Sequence, residues 1–152
     1  MINGLYEAHL PVRDLKRSIE FYTSLELELA YETPKLAFFW IVKGQSWVGL
    51  WETDKVETPY HPSLRHIAFH VDIGAIRNAK VWLADRGIEG RTAFGFSPEE
   101  QPVILPNRPY AHAAVYFHDP DGNSLEFIAP LDFKVEEEFD MMSLAQWDQK
   151  HV

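Results

Sequence analysis

One carboxylate stands where a strand should be apolar, and histidines are spaced so that several share a face with acidic residues. Glu126 lies between Leu125 and Phe127, just after the turn Asp119-Pro120-Asp121-Gly122-Asn123. A carboxylate in mid-strand is costly to bury unless a cation or strong donors meet it, so Glu126 marks a candidate functional position. In a strand, residues two apart point the same way. Glu7 and His9 therefore share one face, with Tyr6, Ala8 and Leu10 on the other. His66, Ala68 and His70 share a face against Ile67, Phe69 and Val71, and His112, Ala114, Tyr116 and His118 repeat the arrangement. A concave surface lined by these faces collects Glu7, His9, His66, His70, His112 and Glu126. Imidazole with carboxylate suits borderline divalent ions such as zinc, nickel, iron or manganese. A set of only three firm ligands leaves positions open for water or substrate, which is the catalytic pattern.

Plainer roles stand beside these. A lone His66 is more often a hydrogen-bonded core group, and Glu7 is equally at home as an exposed edge carboxylate. His9 is a candidate ligand or general base, and otherwise lines the site. Trp47, Gly49 and Trp51 share one strand face and form a candidate aromatic wall. Arg91 and Arg108 sit in the loop before the strand at 112–118 and are candidates to hold an anionic group. The Pro-rich loop from Phe94 to Pro109 is a lid or simply a long connection.

The elements that must position these groups follow from pattern. Residues 5–12 form a strand, and Asp14 caps a helix over 15–24 whose Leu15, Ile19 and Tyr22 recur at helical spacing. Strands at 27–31, 36–42 and 46–51 follow, the last two turned by Gly44. After a polar linker from Glu52 to Ser63 the pattern restarts. A strand at 64–71 leads into a helix at 74–86 stopped by Gly87, and strands lie near 112–118 and 123–129. The order β-α-β-β-β thus occurs twice, and aligning Val12 with Val71 sets Glu7 opposite His66. Phe139, Met142, Leu144 and Trp147 mark a tail helix at about 135–148.

Composition narrows the function. With 152 residues, 46% hydrophobic and 14% aromatic, the chain fills a single packed domain. A net charge of −9 repels phosphate, so nucleic acid is excluded as a partner. Glu136, Glu137, Glu138 and Asp140 concentrate part of that charge in the tail. The absence of cysteine removes disulfides, thiolate-held zinc and a thiol nucleophile. No signal-peptide pattern and no apolar run of roughly 20 residues is present, so a cytoplasmic protein off the membrane is expected.

The doubled β-α-β-β-β order resembles the vicinal oxygen chelate superfamily. So do Val12-Arg13-Asp14-Leu15-Lys16-Arg17-Ser18-Ile19-Glu20-Phe21-Tyr22, His66-Ile67-Ala68-Phe69-His70-Val71-Asp72 and the Asp119–Asn123 turn with Glu126. Glyoxalase I, bleomycin-resistance proteins, extradiol dioxygenases and fosfomycin-resistance transferases belong to that superfamily. The resemblance covers residues 5–130. It implies an α+β fold of two βαβββ modules, about 5–52 and 64–130, whose cupped, partly open mixed sheet surrounds a shared cavity. It implies one divalent metal ion (Zn, Ni, Mn or Fe) held by Glu7, His66 and Glu126. Glu7 stands where most metal-binding members have His, and the fourth position falls near Gly49, which has no ligating side chain. Glu126 or His9 then serves as the catalytic acid–base group. Trp47, Trp51, His70, His112, Tyr116 and Arg108 surround a small-molecule substrate with vicinal oxygens. Isomerisation or lyase chemistry, dioxygenation and thiol transfer all fit this frame. So does a metal-free binder of the bleomycin-resistance kind, which the acidity and the five tryptophans suit. A homodimer is expected.

Overall fold

The computed structural model describes every residue except Pro62 and Val152, the former within the expected linker. Two compact units divide the chain. One comprises Met1–His66 with Asp119–Asn123, and the other comprises Ile67–His118 with the residues from Ser124 onward.

In the first unit, β1 (Glu7–Val12) is followed by α1 (Leu15–Ser24), β2 (Glu28–Thr33), β3 (Leu36–Val42) and β4 (Ser46–Glu52). The Asp14 carboxylate accepts from the Arg17 amide at 3.0 Å, so the helix starts where its cap residue dictates. The strands lie in the order β1-β4-β3-β2, with β1 parallel to β4 and the other pairs antiparallel. Alternation then sorts the side chains. Leu10, Val12, Ala37, Phe39, Val48 and Leu50 are buried on the helix side, where Leu15, Ser18 and Tyr22 of α1 are also buried. Glu7, His9, Phe38, Trp40, Trp47, Gly49 and Trp51 point the other way.

The second sheet repeats the scheme. After β5 (His66–His70) come α2 (Ile73–Ala84), a single 3-10 turn at Pro98–Glu100, β6 (Val103–Leu105), β7 (Tyr110–His118) and β8 (Ser124–Lys134). Its order is β5-β8-β7-β6, and β9 (Met142–Ser143) adds a fifth strand beyond β6. Phe117 and Phe127 contact each other, and Trp82 of α2 meets Phe127 edge-on. Gly87 takes φ 68°, the left-handed conformation that lets the chain leave α2.

Two elements differ from the sequence reading. The strand β6 lies inside the Pro-rich stretch assigned to a lid or connection. The tail helix is shorter and later than 135–148: α3 spans Leu144–Lys150, capped by Ser143, with Leu144 and Trp147 buried. No helix among the described residues is long and apolar enough to cross a membrane.

Candidate functional site

On the helix-free face of the first sheet, β1 and β4 lie in register with Glu7 opposite Trp47 and His9 opposite Gly49. Neighbouring strands therefore place two indole N–H groups beside a carboxylate and an imidazole. Trp47 Nε1 donates to Glu7 Oε2 at 2.6 Å, and His9 Nε2 lies 2.7 Å from Glu7 Oε1. Trp51 Nε1 donates to His9 Nδ1 at 2.6 Å. The Trp47 and His9 hydrogen bonds hold the Glu7 carboxyl below its usual range, so it is ionised at neutral pH. Around this pair the rings form a wall. Trp47 stacks on Phe38 at 4.4 Å and on Trp40 at 4.8 Å, Tyr31 stacks on Phe38, and Tyr6 meets Trp47 edge-on. Trp47 and Trp51 lie on one strand face, as their spacing predicts, and Phe38, Trp40, Tyr31 and Tyr6 adjoin Trp47 or Phe38 there.

Gly49 has a role that the sequence did not suggest. A Cβ at that position would come within 2.4 Å of His9 Nδ1 and 2.8 Å of Phe38 Cε1. The missing side chain makes the seat on which the imidazole lies.

In the second unit, Tyr116 and Glu126 face each other across β7 and β8. Glu126 is only 6% exposed, and the Tyr116 phenol lies beside its carboxylate. Burial, with the nearby Glu126 charge, pushes the phenol well above its usual pKa, so it remains a donor. Ala93, Val103, Leu105, Ala114 and Tyr116 pack together with Phe96. Above them the chain reverses at Phe94 (φ 51°) and Gly95 (φ 83°), and the Phe94 ring meets Tyr116 edge-on at 5.8 Å. A phenylalanine with positive φ is uncommon and strained. The Arg91 guanidinium lies 5.1 Å from the Tyr116 ring centre and donates to Ser124 Oγ at 2.7 Å. Buried Gln101 accepts from the Tyr116 amide and donates to Arg91 O. Phe94 and Gln101 were not legible as site residues, since their stretch has neither helical nor strand period.

The remaining expected residues fall as follows. His66 opens β5 and is exposed, as is His70 at that strand's other end. His112 is buried on β7, and burial lowers its pKa. Arg108 donates to the Glu136 carbonyl at 3.4 Å, so the tail engages its guanidinium. Among the described residues, no group of three or more His, Asp or Glu side chains is arranged to hold a metal ion.

The acidic turn is a structural knot within the first unit. Asp119 Oδ1 accepts the amides of Asp121 and Asn123, while Oδ2 accepts the Tyr22 hydroxyl at 2.9 Å and Asn123 Nδ2 at 2.6 Å. Arg17 reaches Pro120 O and Asp121 Oδ1, and Arg65 reaches Asn123 Oδ1 and Asp121 O. Burial raises the Asp119 pKa despite these donors.

The sheets, the doubled strand order and the residues on their faces define a glyoxalase-type fold. Residues 4–127 match the model of the Glyoxalase/Bleomycin resistance protein/Dioxygenase superfamily, and the chain belongs to that superfamily. Among solved structures, an integron cassette protein from the mobile metagenome of the Halifax Harbour sewage outfall is similar. It is 26% identical over 84% of this chain and 99% of its own, with a TM-score of 0.63. The fosfomycin-resistance protein FosX of Listeria monocytogenes, solved with Mn(II) and sulfate, is 25% identical over 87% of this chain and 94% of its own, also at 0.63. Lactoylglutathione lyase of Agrobacterium tumefaciens shares the fold at 21% identity and a TM-score of 0.61, covering 85% and 95% of the two chains.

Proposed function

We propose that this chain is a metal-dependent enzyme acting on a small molecule with neighbouring oxygens, with Glu7, His66 and Glu126 as ligands of one divalent ion. The observation that carries the reading is Glu126, a carboxylate kept almost wholly buried in mid-strand beside the Tyr116 phenol. Such burial costs several kcal/mol unless charge or donors compensate. The donor chemistry fits. Two carboxylates with an imidazole suit a borderline divalent ion. Glu7 is ionised and aimed by two donors, as ligating carboxylates commonly are. A bound ion would supply Lewis acidity toward the substrate oxygens. The protein's own part is to aim Glu7 through Trp47 and His9, to hold Glu126 through Tyr116, and to bind the flat part of the substrate on Trp47 and Trp51. His70, His112 and Arg108 belong to the same proposed pocket. A homodimer is part of the same proposal. The FosX neighbour solved with Mn(II) supports manganese as the first ion to try.

Metal content after purification without chelator or His-tag tests the proposal. About one ion per chain, abolished by His66→Ala and by Glu126→Ala, is the expected result. An empty protein whose melting temperature ignores Mn²⁺, Ni²⁺ and Zn²⁺ overturns it, because a ligand of the folded state alone must raise stability. That outcome would favour a metal-free binder, the reading for which the aromatic wall speaks. Quenching of tryptophan fluorescence by bleomycin, a cationic aromatic ligand, would then be the next measurement.

A further inference from the structure

Each hydrogen in the Glu7–His9 network has one permitted direction. An indole nitrogen donates and never accepts. Trp51 Nε1 is 2.6 Å from His9 Nδ1, so in this arrangement Nδ1 is the bare nitrogen and the proton of the neutral ring sits on Nε2. That proton is donated to Glu7 Oε1, and the second indole, Trp47, occupies Oε2. The relay runs Trp51 to His9 to Glu7, with Trp47 closing the far end. Gly49 is its geometric condition, since the space a Cβ would need is taken by the imidazole.

We infer that Trp51 and Gly49 are positioning residues that fix the His9 tautomer and, through it, the direction of the Glu7 carboxylate. His9 acts as a fixed hydrogen-bond donor rather than as a ligand or a base, since its lone pair is spent on Trp51 and its proton on Glu7. The tautomer stands on hydrogen-bond geometry alone; the consequence for metal affinity rests on the proposed ligand role of Glu7.

The test is imidazole ¹⁵N NMR on the full-length, metal-free protein above the titration range of histidine. The wild type is expected to show His9 as the Nε2–H tautomer, with its Nδ1 coupled to the Trp51 indole N–H. Glu7→Ala is expected to retain that tautomer, because the indole alone suffices, whereas Glu7→Ala with Trp51→Phe gives a mixture. Gly49→Ala displaces the ring and abolishes the coupling. Trp47→Phe leaves both signals in place and controls for general loosening of the aromatic wall. An Nδ1–H ring in the wild type, or a tautomer lost in Glu7→Ala alone, would overturn the inference. A second arm reads Mn²⁺ affinity. Trp51→Phe and His9→Ala each weaken it by about 10-fold, the lower end for groups that orient a ligand. The double variant is no weaker than His9→Ala, because both act by one route. Additive losses would overturn the relay. A wild type that binds no Mn²⁺ sinks the metal reading and leaves the tautomer measurement to decide the inference.

Discussion

The two sheets share one strand order and differ in what covers the face away from the helix. In the second unit Ala93 and Phe96, from the connection before β6, pack on the sheet residues Val103, Leu105, Ala114 and Tyr116, and Glu126 lies beside Tyr116 almost without solvent. In the first unit the rings on that face other than Phe38 stay partly exposed. Trp51 is 48% exposed and Tyr31 55%, and the polar pair Glu7–His9 is satisfied by indoles rather than by burial. One frame therefore holds a carboxylate in two ways. Glu126 is held by exclusion of water and a phenol, Glu7 by two donors at a half-open surface. The difference sets a nearly dry carboxylate apart from one that still meets solvent.

Stability measurements are the most direct way to break that comparison. Truncating Tyr116 removes a packed ring from beneath Phe94 and Phe96, and Tyr116→Ala is expected to cost about 3–5 kcal/mol in urea unfolding, as other buried aromatic truncations do. Trp51→Ala on the open wall is expected to cost about 1 kcal/mol, because the ring already meets solvent. Equal losses would mean that the first sheet's face is covered in solution.

The acidic turn supplies the next largest effect. Asn123 is wholly buried, donates to Pro11 O and Asp119, and accepts from Arg65. Asn123→Ala strands these partners, and a loss of about 2–3 kcal/mol is expected. A cost below about 0.5 kcal/mol would show that the turn is held by its backbone bonds alone. By contrast, Tyr116→Phe keeps the packing and removes only the phenol hydroxyl beside Glu126, with an expected cost of about 1–2 kcal/mol.

The legible parts of this molecule were those whose pattern is local. Asp14 announces α1, Gly87 ends α2, and period-two alternation gives β1 and its doubled counterpart β5, the strands that carry the candidates Glu7 and His66. The strand β6 was hidden because Val103, Ile104 and Leu105 are all buried, so three apolar residues between prolines show no alternation. The tail helix was overextended because Glu136–Asp140 carries charge without helical period, and only Leu144–Lys150 has a Ser143 cap and a buried stripe. Within the site, Glu7 with His9 is an i, i+2 pair and visible as such. Their indole partners depend on the β1–β4 register, which spans about 40 positions of chain. Gly49 shows the same limit: spacing marked it as a place without a ligand, and only the register reveals the ring above it.

The smallest expected effect uses pH to separate the two carboxylate environments. Glu7 has its pKa lowered by Trp47 and His9, so the stability it contributes is present above the unfolded glutamate pKa and is lost as pH falls through the lower folded value. Tyr116 has its pKa raised by burial and by Glu126, so its contribution is full below the unfolded tyrosine value of about 10 and is lost as pH climbs from there toward the raised folded value. Metal-free protein should therefore lose one increment of melting temperature on the acid side, absent in Glu7→Gln, and another on the alkaline side, absent in Tyr116→Phe. Ultraviolet difference spectra should show Tyr116 still un-ionised where exposed phenols have titrated. Tyr22, buried against Asp119, is raised as well, so the Tyr116→Phe difference spectrum is needed to separate the two. If Tyr116→Phe leaves the alkaline limb unchanged, the phenol is not held in a dry contact with Glu126, and the contrast between a covered and an open face loses its electrostatic half.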